Sequence, residues 1–203
     1  MAWVDTFPAQ TLNALDSGWN GYTVRCVIAA AGLSVSGSRI RLTLTGAPSG
    51  TENGAVNAMY IGHGGAGDDY DFDGNQVQVT VATAGSFSIP QGDSVVSDAL
   101  NFALDNTKRL VLAASFVNNL NDNLGARSSV TNVGSYYKVA NEAGTTDVTG
   151  YTSHGPLIMV SRIEVEVADS SWMAQGRIII RRRRRRLNNA PRKRPPPPPH
   201  YHR

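Results

Sequence analysis

Residues 57–90 read NAMYIGHGGAGDDYDFDGNQVQVTVATAGSFSIP, and the fold is decided here. Val77, Val79 and Val81 alternate with Gln76, Gln78 and Thr80. That period of two gives a strand one apolar and one polar face. Phe87 and Ile89 repeat the alternation after Ala84-Gly85, which predicts a hairpin turn at that pair. Pro90 closes the strand, because proline has no N–H to give to a ladder. Upstream, Val56 to Ile61 reads as another strand, with a glycine-rich loop and then an acidic loop leading out of it.

The same period extends outward in both directions. Ile40, Leu42 and Leu44 point one way and Arg39, Arg41 and Thr43 the other. Val24, Cys26 and Ile28 share a face within Tyr22–Ala30. Leu110, Leu112, Ala114 and Phe116 do so within Lys108–Val117. Ser135–Val139 is a short strand, and Leu157–Val167 is the last, with Ile163, Val165 and Val167 inward. Long polar loops span Asn118–Asn132 and Asn141–Pro156. The expected fold is all-β: a two-sheet antiparallel β-sandwich, jelly-roll-like, of eight to ten strands. Trp3, Phe7, Leu12, Leu15 and Trp19 fall outside this pattern, so residues 1–20 read as an N-terminal arm. The sandwich domain then covers 21–176, and an Arg/Pro-rich tail, expected to be disordered, covers 177–203.

The net charge of +3 is divided between two opposite parts. From Arg177 onward there are eleven basic residues and no acid, which leaves residues 1–176 with 8 basic and 16 acidic residues, a net −8. The body is therefore acidic and the tail basic. The single cysteine, Cys26, sits on an apolar strand face and reads as a buried core thiol. The N-terminus lacks the basic and apolar regions of a secretory signal, and no apolar run approaches ~20 residues. The expectation is synthesis in a host cytoplasm, without a signal peptide and without a membrane partner.

Three segments carry a family resemblance: Ser38-Arg39-Ile40-Arg41-Leu42; Tyr60-Ile61-Gly62-His63 with Gly67-Asp68-Asp69-Tyr70-Asp71-Phe72; and Ser86-Phe87-Ser88-Ile89-Pro90 with Ser94-Val95-Val96-Ser97-Asp98. Together they resemble the jelly-roll-like β-sandwich domain that precedes the catalytic domain of SGNH/GDSL-type hydrolases, also seen in phage and prophage structural proteins. The resemblance covers about residues 20–120 and more thinly 155–167. It implies a sandwich that accompanies carbohydrate chemistry, and it carries over no catalytic residue.

Gly92-Asp93-Ser94-Val95 has the look of a nucleophile block, but a serine nucleophile needs a histidine base oriented by an acid. No Asp-x-x-His motif follows, and Gly92-Asp93 comes directly after a strand-ending proline, where a turn is expected. The chain is therefore read as non-enzymatic. Asp69, Asp71 and Asp73, followed by Gly74, match the opening of a calcium loop; position 12 would be Thr80, which supplies no bidentate carboxylate. The alternative is a solvated strand face. Calcium is the one candidate cofactor. His63, among glycines, reads as a loop residue satisfied by backbone. Tyr136, Tyr137, Tyr151 and Trp172, with His154, form a candidate glycan platform, since aromatic faces stack on sugars. Adjacent strand residues point opposite ways, so one of Tyr136 and Tyr137 is expected to face the core. Arg181, Arg182, Arg183, Arg184, Arg185 and Arg186 are candidate polyanion ligands; a disordered tail, an anchor on an acidic protein surface and an out-of-frame end are the other readings of that run.

The function these features imply is a virion structural protein, of a phage or derived from one: a capsid decoration, spike or tail-fibre module that touches host surface polysaccharide. Its partners would be other virion proteins or further copies of itself, met through the N-terminal arm. The alternatives are a carbohydrate-binding accessory domain of an SGNH-type esterase and a nucleic-acid binder acting through the tail.

Overall fold

The computed structural model describes residues 1–116 and 123–168. Trp172 and Arg181 to Arg186 lie outside the described residues.

The described residues form fifteen strands and one short 3-10 turn, Ala30–Gly32. The strands are β1 (Ala2–Phe7), β2 (Ala14–Asp16), β3 (Tyr22–Ile28), β4 (Ile40–Thr45), β5 (Gly54–Val56), β6 (Ala58–His63), β7 (Val77–Gln78), β8 (Phe87–Ile89), β9 (Ser94–Val96), β10 (Leu110–Phe116), β11 (Leu124–Arg127), β12 (Val133–Val139), β13 (Thr152–Ser153), β14 (Leu157–Ile158) and β15 (Val160–Val167). A four-stranded sheet runs β1-β15-β4-β9, and a six-stranded sheet runs β13-β12-β3-β10-β6-β7. Two small sheets, β14-β11-β2 and β5-β8, complete the set. All pairings are antiparallel. The early long strands alternate between the two large sheets, and the first and last strands lie side by side, as in a jelly roll.

The main core fills the space between the two large sheets. Ile40, Leu42 and Leu44 of β4 and Ile163 and Val165 of β15 are fully buried, and they belong to one cluster with Val24, Cys26, Met59, Ile61, Leu110 and Leu112. The alternation read from the sequence puts these residues inward. Cys26 is a buried core thiol, and burial pushes it up to about 11.

Residues 124–127, read as part of a long polar loop, form β11 with Leu124 and Ala126 buried, and three further elements depart from the sequence reading. The first is the N-terminal arm. Ala2–Phe7 is a strand on β15, and Ala14–Asp16 is a strand on β11. Phe7, Leu12 and Trp19 are buried in the chain's own core, so residues 1–20 are integral to the sandwich. At ~25 cal/mol per Å² of apolar surface, the sandwich's own open edge is sufficient cover for these side chains.

The second is the hairpin at Ala84-Gly85. The turn lies two residues earlier. Val81 and Ala84 exchange backbone hydrogen bonds of 3.0 Å each around Ala82 and Thr83, both at positive φ (49° and 69°). That is the backbone of a primed hairpin turn. The Asp98 carboxylate holds it, accepting from Thr80 Oγ1 (2.6 Å) and the Thr83 N–H (2.8 Å). The ladder ends there: β8 pairs with β5, while β7 pairs with β6.

The third is the last strand, which is broken at Met159 (φ 53°). Met159 donates its N–H to Gly125 and accepts at its carbonyl from Thr45 (2.7 Å each), so the chain leaves β11 and joins β4 within one residue.

Candidate functional site

The outward face of the six-stranded sheet is covered by the chain's own loops. Register aligns Tyr136, Arg25, Ala113 and Tyr60 across β12, β3, β10 and β6. Over that row lies a second apolar cluster: Val27, Tyr70, Phe72, Val111, Ala113, Ala143 and Val148, with Tyr60, Tyr136 and Tyr151 against it. Tyr70 and Phe72 come from the acidic loop, Ala143 and Val148 from the loop after β12. Hydrogen bonds join the loops to each other: the Phe72 N–H donates to the Thr146 carbonyl (3.1 Å), Asp71 Oδ1 accepts from the Val148 N–H (2.9 Å), and Gln76 Nε2 donates to the Gly144 carbonyl (2.8 Å) and Thr146 Oγ1 (3.1 Å).

Arg25 is the centre of this second layer. It is fully buried on the face where β-period predicts a polar residue in water. Its Nη1 donates to the Tyr70 carbonyl (2.8 Å), and its Nη2 to the carbonyls of Thr145 (2.6 Å) and Glu142 (3.2 Å). The guanidinium lies 4.8 Å from the Phe72 ring centre and 5.5 Å from that of Tyr151. A buried cation is tolerated when donors find acceptors and ring faces offer their negative side. Burial is also what pushes the Tyr151 hydroxyl up to about 12.

At the margin of the second layer an open cleft of about 520 Å³ remains, lined by Val27, Asp69, Arg109, Asn132, Gly134 and Tyr136 among others. Tyr136 packs on Tyr70 (5.0 Å between ring centres), which fixes its plane. Arg109 enters from the residue before β10. Its Nη2 donates to the carbonyls of Gly65 (2.6 Å) and Asp68 (2.9 Å), and its Nη1 faces Asp69 Oδ1 at 3.3 Å. A Cβ on Gly64 would collide with the Arg109 side chain, and one on Gly65 with the Phe72 carbonyl. Close approach thus explains the glycines of the Gly62-His63-Gly64-Gly65 run. Asn132 sits at positive φ (64°) and hands its carbonyl to the Ala29 N–H (2.8 Å), which turns the chain into β12. One fixed aromatic face, a cation, a largely exposed carboxylate and an amide therefore meet in an open, shallow site. Such a set can stack on an apolar ring face and exchange hydrogen bonds with hydroxyls.

The glycan candidates are divided between the two faces of the sheet. Tyr136 and Tyr151 lie in the outer layer. Tyr137 packs against the main core, 5.8 Å from Trp19 and 5.7 Å from His154. His154 Nε2 is 2.7 Å from Asp16 Oδ2, and its ring stands edge-on to Trp19 at 5.0 Å. Only Tyr136 of the four described candidates lines the cleft. Arg109 and Asn132 escaped the sequence reading because neither lies in a motif; the glycines that make room for Arg109 were their one trace.

The three aspartates have separate partners. Asp69 faces Arg109; Asp71 is buried and accepts from the N–H groups of Asp68 and Val148; Asp73 accepts from the Asn75 N–H and lies 3.9 Å from His63 Nδ1. Among the described residues no group of three or more His, Cys, Asp or Glu is arranged to hold a metal ion. His63 is buried against Phe102, and its Nε2 accepts from the Asp105 N–H (3.0 Å). Burial holds its pKa below the usual histidine value, against the pull of Asp73. The Ser94 hydroxyl bonds to that of Thr45 (2.7 Å).

The chain matches no protein-family model, and no curated protein matches it. What holds of the resemblance to the sandwich of SGNH-type hydrolases is the all-β architecture of antiparallel sheets.

Proposed function

We propose that this chain is a non-catalytic virion structural module, of the decoration, spike or tail-fibre kind, that binds surface glycan of a host cell in the cleft beside Tyr136. The observation that carries the reading is the meeting of the braced Tyr136 ring with Arg109, Asp69 and Asn132 in an open cleft. Openness suits one segment of a surface polymer, where an enzyme would enclose its substrate. A binding role is favoured over hydrolysis because the Ser94 hydroxyl is engaged by Thr45, while His63 and His154 bond to other groups. The virion setting rests on the resemblance to phage sandwich domains and on the Asn-, Gly- and Ser-rich loops. The resemblance equally suits an accessory domain of an SGNH-type esterase. The run Arg181 to Arg186 favours a separate polyanion-binding role for the tail.

The test is a bacterial-glycan array read with the full chain and with Tyr136→Ala, alongside a search for the chain in purified phage particles by mass spectrometry. Aromatic stacking of this kind contributes on the order of 1 kcal/mol, so Tyr136→Ala weakens a hit about fivefold. No hit on any glycan, or hits indifferent to Tyr136→Ala, would refute the glycan reading. A chain absent from every particle would refute the virion reading.

A further inference from the structure

A second cleft, of about 350 Å³, lies directly beyond the first. It is lined by Gln10, Gly32, Arg127, Ser129, Thr131 and Asn132 among others. Asn132 lines both clefts, and the turn Ala29–Gly32 runs along both, with Ala29 and Ala30 on one and Ala31 and Gly32 on the other. The two are thus neighbouring stations along one groove.

Their charges differ. In the first cleft the Arg109 cation faces the Asp69 carboxylate. In the second, Arg127 Nη1 donates to the Gln10 amide oxygen (2.9 Å), and among the described residues no carboxylate pairs with Arg127. A guanidinium has five N–H donors, and the amide accepts one of them. Around it are hydroxyls, Ser129 and Thr131, and the Asn132 amide. Ser129, like Asn132, is held at positive φ (58°), so the wall is a defined turn. The floor, from Phe7 and Pro8, is apolar.

Resting on the glycan reading of the first cleft, we infer that the ligand is an extended acidic polysaccharide: a neutral sugar ring stacks on Tyr136, and a uronic-acid carboxylate further along the chain is received by Arg127. The planar fork of a guanidinium matches a carboxylate, and among the described residues Arg127 is the cation of this groove that no carboxylate pairs. A ligand that reaches both stations must be an oligomer that passes Asn132, so a single terminal sugar occupies half the groove.

The experiment is calorimetric titration of the full chain with hexamers of galacturonate and of alginate, their dimers, and neutral maltohexaose. The acidic hexamers bind; their dimers and maltohexaose bind about tenfold or more weakly. Arg127→Gln, which removes the charge and leaves a shorter polar amide, weakens acidic-hexamer binding about tenfold and leaves maltohexaose binding unchanged, whereas salt-dependent binding indifferent to this substitution belongs to the run Arg181 to Arg186. Tyr136→Ala weakens acidic and neutral hexamers alike. Equal affinity for acidic and neutral hexamers, or an Arg127→Gln variant that binds the acidic hexamers as the parent does, overturns the inference and leaves the glycan reading standing. Failure of every hexamer overturns both. The far-ultraviolet circular dichroism and melting temperature of each variant separate loss of binding from loss of fold.

Discussion

Replacing Arg25 by methionine removes the centre of the outer layer while keeping most of its volume. Three carbonyls lose their donors, that of Tyr70 buried and those of Glu142 and Thr145 part-buried. Each orphaned acceptor costs about 1–3 kcal/mol, and two ring faces lose their cation. Against this, a buried charge no longer has to be desolvated, a relief of several kcal/mol that can make such a replacement neutral. Two features decide the balance here. A guanidinium is weakly hydrated, so its relief is at the low end. The acceptors are backbone atoms of two loops, and the buried Tyr70 carbonyl has no water to turn to unless its loop lifts off the sheet. The net cost is therefore put at about 3–5 kcal/mol, or a fall in melting temperature of roughly 10 °C for a domain of this size. Hydrogen exchange should locate the damage: residues 64–75 and 140–148 lose protection, while β4 and β15 keep theirs. A methionine variant that melts within about 2 °C of the parent, with unchanged exchange in both loops, would refute the reasoning and place Arg25 among the buried charges that apolar residues replace without loss.

Gly64→Ala drives a methyl group into the Arg109 side chain; the expected result is a lower melting temperature and loss of any binding that depends on the cleft, and an alanine variant equal to the parent in both would show that Arg109 can move aside. His63 titrates below its unfolded value because burial disfavours the charged ring. The unfolded chain then takes up a proton that the native chain refuses, so the stability this residue contributes is present above pH ~6.5 and declines as pH falls through that value; chemical denaturation at pH 7.5 and 5.5 should show the decline, and His63→Gln should flatten it. A chain ended after residue 176 should keep its melting temperature, because residues 1–167 already form one compact unit; a clear loss of stability would mean that the segment beyond adds to the fold.

How much was legible in the chain follows from which forces act locally. Alternation alone placed Ile40, Leu42 and Leu44 inward, and with them β3, β10 and β15, because a side-chain period of two against one core leaves no other choice. The same local logic assigned Cys26 to the core and His63 to backbone hydrogen bonding, but it put His63 in a loop where the structure has it buried at the end of β6. What it missed came from partners far along the chain. Trp19 and Phe7 read as an arm because no periodicity surrounds them; Phe7 is paired by β15, and Trp19 packs on Tyr137 and His154, all more than a hundred residues later. The hairpin fell two residues early because Asp98, outside the turn, fixes Ala82 and Thr83. Arg25 drew no reading from the sequence, since it lies on the face of β3 opposite Val24, Cys26 and Ile28. Only the folding of two remote loops over that face buries it, since their carbonyls and ring faces together replace the water a guanidinium would otherwise require. The cleft has the same origin: Asp69, Arg109 and the pair Asn132 and Tyr136 belong to three separate segments, and antiparallel registration and loop docking, not sequence proximity, bring them to one place.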